Sequence, residues 1–129
     1  MVPAVPLEPG LSERATLVVS EADTARAMGT ADVPVLATPR VIALCEEASL
    51  KALGGTLDEQ NTSVAGRVQF DHLAPVKVGS RVTAEATLER MEGRRLIFTV
   101  SVSDGAGLVG AGKITRVVVD REVFLHKAR

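Results

Sequence analysis

Two adjacent glutamates interrupt an otherwise apolar stretch of the sequence, and one of them is a candidate for catalysis. Glu47 is one i+4 step from Lys51 and can form an ordinary surface ion pair, which leaves Glu46, beside Cys45, as the residue directed towards the interior. A carboxylate held against apolar walls is suited to general-base or nucleophilic chemistry at neutral pH. The pattern is equally compatible with both glutamates lying along a solvated edge.

His72 is a second candidate. It is one of two histidines, and the other, His126, falls in a C-terminal tail that we expect to be frayed. Strict alternation over residues 62–73 places His72 on one face with Val64, Gly66, Val68 and Phe70, and Ala65, Arg67, Gln69 and Asp71 on the other. A lone histidine on an apolar face is more often structural than catalytic, so its assignment to catalysis depends on its companions.

Thr38 is the third candidate. Thr38 followed by Pro39 predicts a helix start, with the threonine hydroxyl at N-cap and proline at N1. The free amides of a helix start can also hold a developing oxyanion or a thioester carbonyl. Glu46 lies about 12 Å further along an ideal helix, so a substrate or a partner subunit must bridge the two residues. No spacing of His, Cys and carboxylates resembles a closed zinc site, and no metal is expected.

The periodicity of apolar residues predicts one long helix and five strands around these candidates. Helical spacing extends from Thr38 to Leu53, and the pair Gly54-Gly55 ends it. Alternation with a period of two predicts strands over residues 13–19, 62–73, 80–91, 94–103 and 107–120. Residues 21–33 are interpreted as a short helical turn and a loop, where a lid can sit.

This order of elements predicts an α+β hot-dog fold, in which a five-stranded antiparallel sheet wraps one long central helix. A helix lying flat across an open sheet would show the same periodicity. Residues 1–129 are expected to form a single domain, with residues 1–11 as an extended, proline-containing arm. The strand at 62–73 is a plausible exposed edge, which predicts a homodimer, alone or as a dimer of dimers.

Composition excludes several classes of partner. Aromatic residues make up 2% of the chain and its net charge is -1, so neither base stacking nor phosphate neutralisation favours a nucleic acid. We expect no membrane partner, because no apolar run is long enough to span a bilayer and the N-terminal residues do not resemble a signal peptide. The lone Cys45 cannot form an internal disulfide, which fits a reducing cytoplasm.

Three segments carry a resemblance to a known family. In VLATPRVIALCEEAS, VAGRVQFDHLAPVKVGSRV, and MEGRRLIFTVSVSDG followed by GAGKITRVVV, the chain resembles the hot-dog acyl-CoA thioesterases, most closely the fluoroacetyl-CoA thioesterase-like family. The resemblance covers about residues 12–120 and implies that Thr38, Glu46 and His72 are the catalytic set. It implies that Glu46 attacks the thioester carbonyl or activates water, that His72 polarises or orients the reacting groups, and that Thr38 assists.

The resemblance also implies how the substrate is held. The coenzyme A enters as part of the substrate, and no other cofactor is implied. The residues implied to contact the substrate are Val35, Pro39, Ala65, Gly66 and Arg116, of which Arg116 would meet a phosphate of the nucleotide end. Relatives commonly carry glycine at the place of Ala65, and a histidine at that of Ile114. The segment before Thr38 lacks the phenylalanines of the family's lid, so fluoroacetyl specificity is not implied.

The leading hypothesis is therefore hydrolysis of a small or medium acyl-CoA. A second hypothesis is a non-catalytic hot-dog module that binds acyl-CoA or a small apolar ligand as a sensor or scaffold. A hydratase on the same fold is a third hypothesis, less favoured because the Thr-Glu-His set resembles the hydrolytic branch.

Overall fold

The long apolar helix predicted by the sequence lies at the centre of the fold. The computed structural model describes residues 5–129, and in it helix α2 spans Thr38–Ala52. Val41, Leu44, Cys45 and Ala48 are fully buried because they share the face of the helix that packs on the sheet. Leu53 follows as the C-cap, and Gly55 adopts a left-handed conformation with φ of 77° that ends the helix.

Five antiparallel strands form one sheet around this helix. Their bounds are Ser12–Val18 (β1), Asn61–His72 (β2), Arg81–Glu92 (β3), Arg95–Asp104 (β4) and Gly107–Asp120 (β5). The strand order is β1-β3-β4-β5-β2, so β1 and β2 are the two edges. The inner face of the sheet is aliphatic, with Phe98 as its largest fully buried side chain. The predicted α+β hot-dog arrangement is confirmed, with strand bounds within a residue or two of those predicted.

One prediction about β2 is wrong. A bulge at Gly66 leaves that residue without a partner, between the pairs Ala65–Arg116 and Arg67–Thr115. The extra residue reverses the alternation, so Ala65 packs against the core with Phe70, and Val64 lies on the outer face opposite Val117. Val64 and His72 therefore do not share a face, although strict alternation predicts that they do.

The chain between β1 and α2 is more ordered than the sequence suggested. It contains a 3₁₀ turn at Glu21–Asp23 and a short helix α1 at Ala25–Met28, followed by a turn and bends that lead to isolated β-bridges at Val35 and Leu36. The backbone N–H of Ala25 donates to Val35 O at 2.8 Å, which closes the segment into a compact loop. This loop is placed directly before the start of α2, where the lid was expected.

The two termini differ in outcome. The predicted N-terminal arm, residues 1–11, is described from residue 5 onward; there Gly10 N–H donates to Leu88 O, and Leu7 and Leu11 pack on the core. Residues 1–4 lie outside the described part of the chain. The expectation of a frayed C-terminus is wrong, because Arg121–Lys127 form helix α3, capped by Asp120. No helix among the described residues is long and apolar enough to cross a membrane.

Candidate active site

Thr38 and His72 meet where the first turn of α2 approaches the end of β2. The Thr38 Oγ1 and His72 Nδ1 atoms are 2.7 Å apart, a short hydrogen bond between side chains 34 residues apart in sequence. His72 Nε2 is buried and has no hydrogen-bond partner among residues 5–129. A buried ring nitrogen left unpaired is costly, so this atom is available to a ligand or to another subunit.

The predicted N-cap role of Thr38 is wrong. Ala37 occupies the N-cap with extended dihedral angles (φ -72°, ψ 141°), which makes Thr38 the first helical residue and Pro39 the second. The helix therefore starts as the sequence predicted, but the threonine hydroxyl bonds to His72 instead of to its own helix. Because Thr38 is the first residue of the helix, its backbone N–H has no acceptor within the helix and is available to a ligand beside His72.

A cavity of about 380 Å³ adjoins this pair. Its walls combine the start of α2, the loop after β2 and the segment between β1 and α2, and they are mostly apolar. The lining residues include Val33, Val35, Pro39, Leu73 and Pro75 together with Thr38 and His72. The volume lies within the usual range for small-ligand sites. Two predicted substrate contacts, Val35 and Pro39, thus line the same cavity as Thr38 and His72.

An ion pair anchors the lid segment to α2. Arg40 Nε donates to Asp23 Oδ1 at 3.1 Å, and the Ser20 N–H and Oγ also donate to this carboxylate. Burial acts to raise the pKa of Asp23, but the hydrogen bonds from Ser20 and Arg40 outweigh it and hold the pKa below its usual value. The lid is therefore fastened at its base to the helix that carries Thr38.

Glu46 lies in a different environment, halfway along α2. Its side chain is 40% exposed and its Oε1 atom is 3.9 Å from Arg116 Nη1. Together with Ala43, Glu47 and Leu50, these two residues line an open depression of about 290 Å³. Cys45 faces the core, but Glu46 does not. The Glu46 side chain lies at the surface, above the buried cation of Arg116.

Arg116 is itself held from inside the sheet. It is 5% exposed, and its guanidinium donates to Ser63 Oγ at 2.8 Å, to Ser63 O at 2.9 Å and to Ser49 Oγ at 3.3 Å. Burial lowers the pKa of Arg116, and the nearby charge of Glu46 acts in the opposite direction. These internal contacts place the Arg116 guanidinium beneath Glu46 and hold it away from solvent. They favour a role in supporting Glu46 over contact with a substrate phosphate, the role that the resemblance implied.

Sequence reasoning missed Ser49 and Ser63. Both are buried polar residues, and both orient the arginine beneath Glu46. A signal was present for Ser49, which lies three residues after Glu46 on an apolar helix face, where a serine is unusual. Ser63 gave no such signal because its inward orientation depends on the bulge at Gly66.

The two groups of residues are apart within one chain. Ser63 and His72 are nine residues apart along β2, up to about 30 Å in an extended strand. The cavity at Thr38 and His72 and the depression at Glu46 share no lining residue. Among the other predicted substrate contacts, Ala65 packs at the core margin and Gly66 faces the outer side of the sheet. The chain therefore carries its candidate residues in two separate places.

Comparison with known proteins gives consistent results. Residues 19–122 match the family described as fluoroacetyl-CoA-specific thioesterase. Fluoroacetyl-CoA thioesterase from Streptantibioticus cattleyicolor is 35% identical over 95 residues, which are 74% of this chain and 68% of that protein. A solved structure of the fluoroacetyl-CoA thioesterase FlK has a TM-score of 0.88 at 30% identity, covering 95% of this chain and 96% of that one. A thioesterase superfamily member from Thermus thermophilus has a TM-score of 0.85 at 27% identity, covering 94% and 90%.

Proposed function

The chain belongs to the fluoroacetyl-CoA-specific thioesterase family, and we propose that it hydrolyses a small or medium acyl-CoA thioester to the free acid and CoA in a site shared by two subunits. The observation that carries the shared site is the division of the chemistry within one chain. Thr38 and His72 adjoin one cavity and Glu46 lies in a separate depression, and these are the two half-sites. Neither half-site alone holds the set needed for hydrolysis.

The edge strand β2 supplies the way to join them. Within the described residues, β2 is hydrogen-bonded to β5 on one side, and its other edge is open along 12 residues. An exposed strand of this length favours pairing with a second copy, and antiparallel pairing about a two-fold axis is the symmetric solution. Such pairing brings the N-terminal end of β2 in one subunit opposite the C-terminal end in the other.

Keeping inward residues opposite inward residues limits the register to steps of two residues, and we propose the one that also brings the two half-sites together. In the register with Val68 on the two-fold axis, Arg67 lies opposite the partner's Gln69. Beyond the bulge at Gly66 the pairing steps by one residue. Ser63 then lies opposite the partner's His72.

This register joins the two half-sites. Because Ser63 holds Arg116, and Arg116 lies 3.9 Å from Glu46, the carboxylate comes within side-chain reach of His72 of the partner subunit. Ala65 lies next to the same site, which accounts for its predicted contact with the acyl carbonyl. Each dimer has two such sites, and in each of them Glu46 and the Thr38–His72 pair come from different chains.

The geometry supports a division of roles in hydrolysis. When the Thr38 hydroxyl donates to Nδ1, the ring proton of His72 is on Nε2, the buried atom that has no partner within the chain. That N–H and the Thr38 backbone amide can polarise the thioester carbonyl. The partner's Glu46 either removes a proton from an attacking water and passes it to the CoA sulfur as the carbon–sulfur bond breaks, or attacks the carbonyl carbon itself. In the second route CoA leaves as the thiolate, and water then hydrolyses the acyl-glutamyl anhydride, which releases the free acid, restores Glu46 and supplies the proton of the thiol.

The size and walls of the cavity set the acyl class. About 380 Å³ lined by valine, leucine, alanine and proline side chains accommodates a short or medium aliphatic acyl group. The lid segment contains no phenylalanine, so a fluoroacetyl group would not meet aromatic walls from this segment. The cellular location stays the prediction made from the sequence, a reducing cytoplasm.

Subunit exchange between two inactive variants tests the shared site. Glu46→Gln and His72→Ala homodimers should each hydrolyse acyl-CoA poorly. After mixing and exchange, half of the dimers are mixed and each carries one intact site, so about a quarter of the wild-type rate should return. Thiol release from a panel of acyl-CoA substrates measures the rate.

A matched mixture serves as the control. Thr38→Val and His72→Ala affect the same half-site, so their mixture should regain no activity. Failure of the Glu46→Gln and His72→Ala mixture to exceed its parents, with exchange verified by mass spectrometry, would overturn the shared site. Binding of acyl-CoA by the wild type without any turnover would overturn the hydrolase assignment.

A further inference from the structure

The outer face of the sheet carries a groove that the proposed hydrolysis does not use. A single cross-strand row, Arg67–Thr115–Ile97–Arg90, crosses β2, β5, β4 and β3 on the face turned away from α2. Paired residues in antiparallel strands point to the same side, so all four side chains line one surface. This row forms the middle of a cavity of about 240 Å³.

The floor of the groove is apolar. Ile97 faces outward between the inward-facing Leu96 and Phe98, yet it is 6% exposed. Val117 and Thr115 flank it and are half-buried. A buried isoleucine on the outer face of a sheet is covered by the aliphatic stems of its long neighbours, and this creates a flat apolar strip under charged groups.

The rim of the groove is cationic. Arg95 and Lys113 lie on either side of the central row and add to the charges of Arg67 and Arg90. Glu89 and Glu92 pair with Arg90 and Lys113. Among residues 5–129, Arg67 and Arg95 form no ion pair within 4.0 Å. Four cations against two carboxylates leave an excess of two positive charges on a protein of net charge -1.

The groove extends towards the two-fold axis of the proposed dimer. In the register described above, the partner's Arg67 is a diagonal neighbour of Arg67, roughly 7–8 Å away. The grooves of the two subunits then meet over the axis. Two arginines at this separation repel each other, and a bound anion relieves that repulsion. This extension rests on the proposed dimer, whereas the groove itself lies within one chain.

We propose that this outer groove binds a phosphorylated ligand with a flat apolar ring, the chemistry shared by free adenine nucleotides and the nucleotide end of coenzyme A. The phosphates meet Arg67 and Arg95, and the ring stacks on the arginine side chains whose stems cover Ile97. The site is separate from the acyl cavity because Arg67 and Gln69 point away from α2, on the opposite face of β2 from Phe70 and His72. One strand thus carries two binding surfaces.

Isothermal titration of the full chain tests this site, with ADP as the probe for a free nucleotide and 3′-phosphoadenosine 5′-diphosphate as the probe for the nucleotide end of CoA. Both should bind saturably, and Arg67→Gln should weaken the binding by about tenfold. The tighter of the two probes identifies the source of the ligand. Arg81→Gln, which removes the same charge from an exposed position on β3 outside the groove, should leave the affinity unchanged.

Three results would overturn the proposal. They are the lack of saturable binding of either probe at millimolar concentration, an equal loss of affinity in Arg67→Gln and Arg81→Gln, and inorganic pyrophosphate binding as tightly as ADP. The last result would mean that the ring contributes nothing to the binding. Because probe binding is measured without acyl-CoA and hydrolysis is measured as thiol release, failure of the groove and failure of the thioesterase proposal are distinguishable.

Discussion

The start and the middle of helix α2 carry the candidate catalytic residues in different surroundings. At the start, Thr38 is hydrogen-bonded to His72 at the wall of a mostly apolar cavity, which the segment before α2 also lines. In the middle, Glu46 is 40% exposed above a buried arginine. The start of α2 thus has an apolar cavity without a carboxylate, and the middle has a carboxylate beside a buried cation. We infer that each region is shaped to complete the other in a second subunit.

The largest expected effect comes from the middle of α2. Glu46→Gln should lower kcat by about 10³-fold, because the amide can neither attack the thioester nor accept a proton from water. Its melting temperature should stay close to that of the wild type, since the side chain is partly exposed. Glu47→Gln is the matched control one residue away, with a 57% exposed side chain. Equal losses of kcat in the two variants would contradict the role given to Glu46.

At the start of α2, Thr38→Val should lower kcat by about 10²-fold, because His72 Nδ1 loses its hydroxyl partner and the ring loses its orientation. Thr38→Ser keeps the hydroxyl and should retain most of the activity. Steady-state kinetics of both variants measure the difference. If Val and Ser at this position gave the same kcat, the hydrogen bond to His72 would have no part in the reaction.

Replacement of Arg116, the buried residue beneath Glu46, should mainly reduce the stability of the protein. Arg116→Met should lower the free energy of unfolding by about 2 kcal/mol, because Ser63 loses hydrogen bonds in a buried place. Urea denaturation gives this value, with Arg81→Met as an exposed control expected to change little. A variant Arg116→Met that is as stable as the wild type and fully active would remove the arginine from the account of the site.

The smallest effect concerns Cys45, which precedes Glu46 but faces the core. Burial, with a smaller contribution from the charge of Glu46, raises the pKa of its thiol from 9.0 to about 12. The unfolded chain therefore loses this proton above pH 9 while the folded chain keeps it. The free energy of unfolding should fall by up to about 1.4 kcal/mol per pH unit between these values.

Urea denaturation of the wild type and of Cys45→Ala between about pH 8 and about pH 10.5 isolates this contribution, because the lysines that titrate in the same range are common to both proteins. The alanine variant should show the shallower dependence on pH. Parallel curves for the two proteins would contradict the burial of the thiol.

The sequence was most informative where a single element determines the outcome. Helical spacing, the Thr-Pro start and the glycine pair located α2 to within a residue of its end, and period-two alternation located the five strands. It was least informative where one extra residue reverses the inward/outward alternation of side chains along a strand. The bulge at Gly66 reverses the faces of the first half of β2. A glycine inside a strand often marks a bulge, but strict alternation through Gly66 ignores that signal.

Residue types and spacing by themselves determined the α+β class, the order of one long helix and five strands, and the identity of Thr38, Glu46 and His72 as candidates, because these depend on local periodicity and on the chemistry of side chains. Only the tertiary structure decided that Thr38 bonds to His72 instead of capping its helix, that Arg116 is buried beneath Glu46, and that the two groups are apart within one chain. Those outcomes depend on which strands become neighbours and on their register. Contacts between residues that are distant in the sequence produce no periodic pattern in the sequence.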